Sequence, residues 1–265
     1  MIDWWWAYLA LGAFVGFFSG LLGIGGGAAL VPMLAFIYAA KGFPAATVVH
    51  LALGTGMATM VFTAASSARS HHRHGAVNWP IMRTMAPGII AGTFGGALLA
   101  GFLDLRVLSV IFTALIYYLA AQMLLDRKPA SSRPMPGIGG AVLAAGGIGI
   151  ISSLTATGGA ALVVTFLVRR DVRVHEAIGT AAAISWPLAV FGAMGYIASG
   201  LAVPELPRYS MGYVYLPAVA AIAAASMLMA PVGARLAHRT PGKRLKKIFA
   251  LVLFALATSM LLRFV

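Results

Sequence analysis

Gly16–Leu34 reads GFFSGLLGIGGGAALVPML, and its second half returns later in the chain. GGGAALVP at Gly25–Pro32 is matched by TGGAALVV at Thr157–Val164, 132 residues on and identical at six of eight positions. A second pair follows in the same order: VHLALGT at Val49–Thr55 is matched by VHEAIGT at Val174–Thr180, offset by 125 and identical at five of seven. It aligns His50 with His175 and Gly54-Thr55 with Gly179-Thr180. Alanine and glycine inflate any such count in this chain, but two matched blocks in one order indicate a duplication.

The sequence around these blocks is made for lipid. Of 265 residues, 61% are hydrophobic and 9% charged, more apolar surface than a soluble core of this length can bury. Apolar stretches long enough to span the hydrocarbon recur, with the charge collected in short loops between them. The formal charge of +13 does not call for nucleic acid, because the basic residues fall where the positive-inside rule puts them. With no cysteine there is no disulfide, thiolate metal site or thiol relay. The start, Met1-Ile-Asp-Trp-Trp-Trp, lacks a basic region and a small-residue cleavage site, so it reads as a first segment with tryptophans at the headgroup level.

The expected fold is therefore an all-α polytopic membrane protein of two inverted repeats, each a Gly-broken re-entrant helical hairpin plus three transmembrane helices. Repeat 1 covers 1–128, with a hairpin at 5–40 and spans at 47–68, 80–103 and 105–126. A cytoplasmic linker follows at 129–137. Repeat 2 covers 138–265, with a hairpin at 138–168 and spans at 174–199, 211–232 and 246–264. Residues 160–168 are too few to cross, since about 20 are needed. Fifteen of the nineteen Lys and Arg lie in four clusters: Arg69/Arg73/Arg83, Arg127/Lys128/Arg133, Arg169/Arg170/Arg173 and Arg235 through Lys247. Three crossings per half put all four on the cytoplasmic side and make the repeats inverted. Full crossings by both 5–23 and 28–40 leave that sidedness unchanged. The two breaks then meet near the midplane, where inverted-repeat transporters hold substrate.

In each break, glycines end one apolar segment and start a helix: Gly25, Gly26 and Gly27 before Ala28, and Thr157, Gly158 and Gly159 before Ala160. Helix starts carry unpaired N–H groups and the positive end of the dipole, and glycine lets a ligand approach the backbone. This is an anion site in outline, with Thr155 and Thr157, and Ser152 and Ser153 before them, as hydroxyl donors. The competing reading is that the glycines serve close helix packing. Thr55, Thr59 and Thr63 recur every four residues and present a hydroxyl stripe along an anion path, with Thr180 as the counterpart of Thr55; alternatively each hydroxyl bonds its own i−4 carbonyl. His50 and His175 sit at matched entrances on opposite sides, as gating groups or as plain helix-end hydrogen bonders. His71, His72 and His74 read as a solvated basic loop, and nothing in the sequence indicates a metal or cofactor.

The six acidic residues, Asp3, Asp104, Asp126, Asp171, Glu176 and Glu205, all lie at segment ends or in loops, so no carboxylate of the kind used by proton or sodium pumps sits mid-membrane. Export of an anion needs none, because each negative charge leaving a negative cytoplasm gains roughly 2.3 kcal/mol per 100 mV.

These residues resemble the sulfite exporter TauE/SafE family, the TSUP permeases. The resemblance rests on Gly16–Leu34, on HLALGTGMA at His50–Ala58 with the basic loop and GAVNW at Gly75–Trp79 after it, and on the TGGAA return, and it covers essentially the whole chain. It implies a bacterial inner-membrane carrier for a sulfur-containing anion such as sulfite, a sulfonate or sulfoacetate, with the small anion and the lipid bilayer as partners; it sets neither substrate nor oligomeric state. A passive anion channel or a membrane subunit of a larger assembly fits the same sequence. An intramembrane enzyme fits poorly, with no GxSxG turn, no cysteine and no evident serine partner for either matched histidine.

Overall fold

Apolar periodic sequence broken by glycine, proline and charged loops folds into ten α-helices in the computed structural model, which describes residues 4–22, 27–125, 134–237 and 242–264. They are α1 Trp5–Leu22, α2 Gly27–Ala40, α3 Val48–Arg73, α4 Trp79–Ala100, α5 Leu105–Leu125, α6 Ile138–Thr155, α7 Ala160–Val168, α8 Val174–Gly200, α9 Leu216–Ala237 and α10 Gly242–Phe264. Five segments among the described residues are long and apolar enough to cross a membrane: Ala45–Arg73, Leu105–Leu125, Ile138–Thr155, Val174–Gly200 and Leu216–Gly233. Leu143, Phe102, Leu228 and Leu262 are each more than 75% exposed on the outer surface, as lipid-facing side chains must be. The protein is an all-α, multi-pass membrane protein.

The elements follow the expected segments, with three differences. Helix α3 runs through Arg69 to Arg73, so His71 and His72 lie in its last turn and not in a loop; nothing in ASSARSHHR breaks a helix, which stops at His74 and at Gly75 with φ 66°. Helix α9 starts at Leu216, five residues late, because Ser210–Met211 and Val214–Tyr215 pair as an antiparallel hairpin about Gly212. Helix α6 is 18 residues long and qualifies as a span by itself, where half of a re-entrant hairpin was expected; α7, at nine residues, is too short to cross.

The packing pairs helices across the halves. Helix α1 lies on α9 and α4 on α6; α3 lies on α8 and α5 on α10; α2 packs on α3, and α7 on α8. Numbering α6–α10 as the counterparts of α1–α5 maps each of these contacts onto another of the set or onto itself. Small residues make the closest seams. Ile222 and Ser226 backbone lies where side chains of Gly12 and Gly16 would project, and Val142 and Gly146 backbone does the same at Gly88 and Gly92.

The central pair, α3 and α8, is antiparallel, and the repeated Gly-Thr fixes both of its ends. Thr55 Oγ1 accepts a hydrogen bond from Tyr215 N at 3.0 Å, where the chain enters α9. Thr180 Oγ1 accepts one from Asn78 N at 2.9 Å, where the chain enters α4. The adjoining glycines let the same strands approach: Gly54 lies against the Tyr213 carbonyl and Gly179 against that of Ala76.

Candidate functional site

The chain reverses between α6 and α7 in four residues. Ala156 (φ 46°), Gly158 (φ 76°) and Gly159 (φ 65°) are all left-handed, which glycine adopts freely and alanine only at a cost of about 1–2 kcal/mol. Helix α7 therefore begins abruptly, with no side chain capping it at Gly159. Its first backbone N–H groups and the positive end of its dipole point into the reversal, whose residues 156–159 are buried while Ala160, Ala161 and Leu162 are half-buried.

The start of α2 reaches the same place. A Cβ on Gly27 would collide with the Ala156 carbonyl and stand 3.1 Å from the Met60 sulfur, so the two breaks touch and Gly27 is required by packing. Gly25 and Gly26 lie outside the described residues. Helix α3 supplies the lining between the breaks. Gly56 faces the Ala156 methyl, and the Met60 side chain runs from Gly27 to Gly158, its terminal methyl against the latter.

The hydroxyls divide into committed and uncommitted. Thr155 Oγ1 lies 3.1 Å from the Ile151 carbonyl and 3.0 Å from Thr157 Oγ1. Ser185 Oγ is 2.8 Å from both the Gly158 and the Ala181 carbonyls, tying the reversal to α8, and Tyr196 donates to the Ser153 carbonyl at 2.9 Å. Ser152 differs. It is fully buried, its Oγ has no hydrogen-bond partner, and it lies 2.7 Å from where a side chain of Gly159 would begin. Leaving a buried hydroxyl unpaired costs about 1–3 kcal/mol, and this one faces an uncapped helix start.

The remaining expected residues sit elsewhere. Thr55 and Thr180 hold the helix entries described above, and Thr55 also accepts from the Tyr38 hydroxyl at 3.1 Å. Thr59 donates to the Thr55 carbonyl four residues back, as the self-bonding alternative has it, and Thr63 to the Met60 carbonyl three back. His50 Nε2 lies 3.0 Å from the Ala100 carbonyl and 3.2 Å from that of Leu103, and the ring stacks on Tyr213 at 4.9 Å, so it fastens α3 to the end of α4. His175 is exposed at the opposite end. No group of His, Asp and Glu among the described residues is arranged to hold a metal. Sequence reasoning missed Met60; the signal was its register with Ser185, 125 residues later, which touches the same reversal.

Cross-paired helices around a short helix that starts inside the bundle are an arrangement that membrane transporters use. The family model for the sulfite exporter TauE/SafE matches residues 8–260, and the chain belongs to that family. It is 38% identical over 260 residues to a Haemophilus influenzae protein called "Probable membrane transporter protein", covering 96% of this chain and 97% of that one. A Methanocaldococcus jannaschii protein of the same description is 24% identical, covering 96% and 94%, and a Bacillus subtilis one 25% identical, covering 70% and 76%. No solved structure matches.

Proposed function

We propose that the protein is an exporter of a small sulfur-containing anion, such as sulfite, a sulfonate or sulfoacetate, in a bacterial inner membrane. It is built from two inverted repeats, 1–128 and 138–265, and its basic loops face the cytoplasm. The anion binds at the start of α7, where the start of α2 meets it: backbone N–H groups after Gly158 and Gly159 and the Ser152 hydroxyl donate to it, and Met60 fills the seat in its absence. The antiparallel α3 and α8 and the exchange of partners between halves support the inverted arrangement.

The observation that carries this reading is the buried, unpartnered Ser152 hydroxyl beside an uncapped helix start, which together are a donor set awaiting an acceptor. The test is flux of sulfite, thiosulfate and sulfoacetate in proteoliposomes with an imposed potential, for the wild type and for Ser152→Ala. Saturable, potential-driven movement of one anion, with an apparent affinity about 10-fold weaker in the variant, is the expected result; a hydrogen bond to a charged group is worth about 1.5–3 kcal/mol. Movement of none of the three by folded protein sinks the substrate class, and unchanged affinity in Ser152→Ala sinks the site.

A further inference from the structure

Equivalent seams of the two halves are in opposite states. By the repeat register, α2 corresponds to α7 and α10 to α5. The α2 seam is shut: α2 packs on α10, the Arg263 guanidinium covers the Phe36 ring at 5.5 Å, and Phe18 of α1 stacks on Phe249 at 5.4 Å. Beyond the end of α2, Lys41 Nζ sits 5.4, 5.2 and 4.9 Å from the rings of Tyr8, Phe43 and Tyr215 and donates to the Tyr215 hydroxyl at 3.2 Å. Its charge is caged by aromatic faces.

The α7 seam is open. A groove of about 700 Å³ separates α7 from α5, with α6 as its floor, a volume in the range of ligand-holding sites. Its end nearest the reversal is formed by Leu162 and by Ile151, which is itself exposed. Ile151 lies four residues before Thr155 and Leu162 three after Gly159, so the groove ends about one helical turn from the reversal. Arg169 and Arg170 stand at the other end, and among the described residues no carboxylate lines it. The Arg170 guanidinium is held 5.3 Å from the Phe166 ring and donates to the Pro134 carbonyl at 3.0 Å, so its charge is fixed at the mouth. Helix α5 adds the Tyr118 and Gln122 polar groups, and α7 adds Thr165.

Resting on the site just described, we propose that this groove is the water-filled route by which the anion reaches α7 from the cytoplasm, recruited by Arg169 and Arg170, and that this structure is the state open to that face. The α2–α10 seam with its caged Lys41 is the matching exit, closed here. Alternating access between inverted halves demands that one such seam be shut while the other is open. The two Gly-Thr fastenings hold both ends of the α3–α8 frame, leaving α5 with α7 and α2 with α10 as the parts that move.

The chain has no cysteine, so single thiols can be placed without altering a background. Leu162→Cys and Ile151→Cys report the end of the groove nearest the reversal, and Leu30→Cys the buried repeat position matching Leu162, beside Gly56. A membrane-impermeant sulfonated thiol reagent is applied to right-side-out and inside-out vesicles. Labelling of the two groove thiols from the cytoplasmic side, with Leu30→Cys resistant from both sides, is the expected result. Adding Arg169→Gln and Arg170→Gln should slow the anionic reagent about 10-fold while sparing a neutral one, as charge-focused approach requires. Labelling by a membrane-permeant maleimide alone means that lipid fills the groove and overturns the proposal, as does equal labelling of Leu30→Cys. The readout needs no transport, so its failure leaves the Ser152 result standing, and loss of flux with normal labelling counts against the site alone.

Discussion

Two neighbouring residues at the reversal carry different risks when changed. Gly27 has the Ala156 carbonyl where a side chain would begin, and backbone cannot retreat as a flexible side chain can. Gly27→Ala should therefore lower the yield of folded protein, read by size-exclusion profile and thermal unfolding, at a cost of about 1–3 kcal/mol for overpacking. Ser152→Ala removes only an unpaired hydroxyl, so its thermal midpoint should equal or exceed the wild type while its transport affinity falls; a lower midpoint would mean that the hydroxyl serves the fold. Both glycine runs were legible in the sequence because helix starts leave that mark. The difference between them was not, since Gly27 and Ala156 meet across 129 residues of chain. Met60 left only its register with Ser185 as a mark, which is easily passed over because Ser185 reaches the same reversal by different chemistry.

At the scale of elements, one repeated dipeptide does one job twice. Gly54-Thr55 receives the chain entering α9, and Gly179-Thr180 the chain entering α4. Thr55→Val and Thr180→Val keep the shape but leave a backbone N–H without its acceptor, costing about 1–3 kcal/mol each. The fastenings lie at opposite ends of the α3–α8 pair, so the double variant should lose the sum of the two in thermal unfolding; a double variant no worse than either single one would show that the fastenings are not independent. The repeat announced that these threonines matter and suggested ligand binding. Their partners, Tyr215 and Asn78, are 160 and 102 residues away, and no local pattern pairs a threonine with a distant extended strand. His50 was legible for a related reason: a buried histidine at a helix entrance commonly satisfies stray carbonyls, and it meets those of Ala100 and Leu103.

For the whole molecule, the sorting of cations is informative. Lys41, Arg106, Arg208 and Arg263 are the basic residues outside the four clusters. Lys41 and Arg263 are both spent on aromatic rings at the closed seam, whereas the mouth of the open groove carries Arg169 and Arg170. Lys41→Met, introduced into the Leu30→Cys variant, should weaken the outer seal and admit the sulfonated reagent from the face opposite the basic loops. Continued protection of Leu30→Cys would show that the aromatic residues close that end without the cation. The apolar runs that form the helices and the four basic clusters were written in the sequence; the opposite states of the two seams were not, because identical repeat registers describe both.

The shortness of α7 has an electrical consequence. Nine residues rise only about 13.5 Å, under half of a hydrocarbon layer about 30 Å thick. A conducting groove alongside α7 carries the cytoplasmic potential down to its first turn, so nearly all of the transmembrane voltage falls across the closed remainder of the layer beyond it. Occupancy of the seat from the cytoplasm should then hardly respond to voltage, while passage outward takes up almost the full electrical distance. Equilibrium binding and turnover measured on the same vesicles at several potentials would separate the two, turnover steepening with voltage as the apparent dissociation constant stays flat.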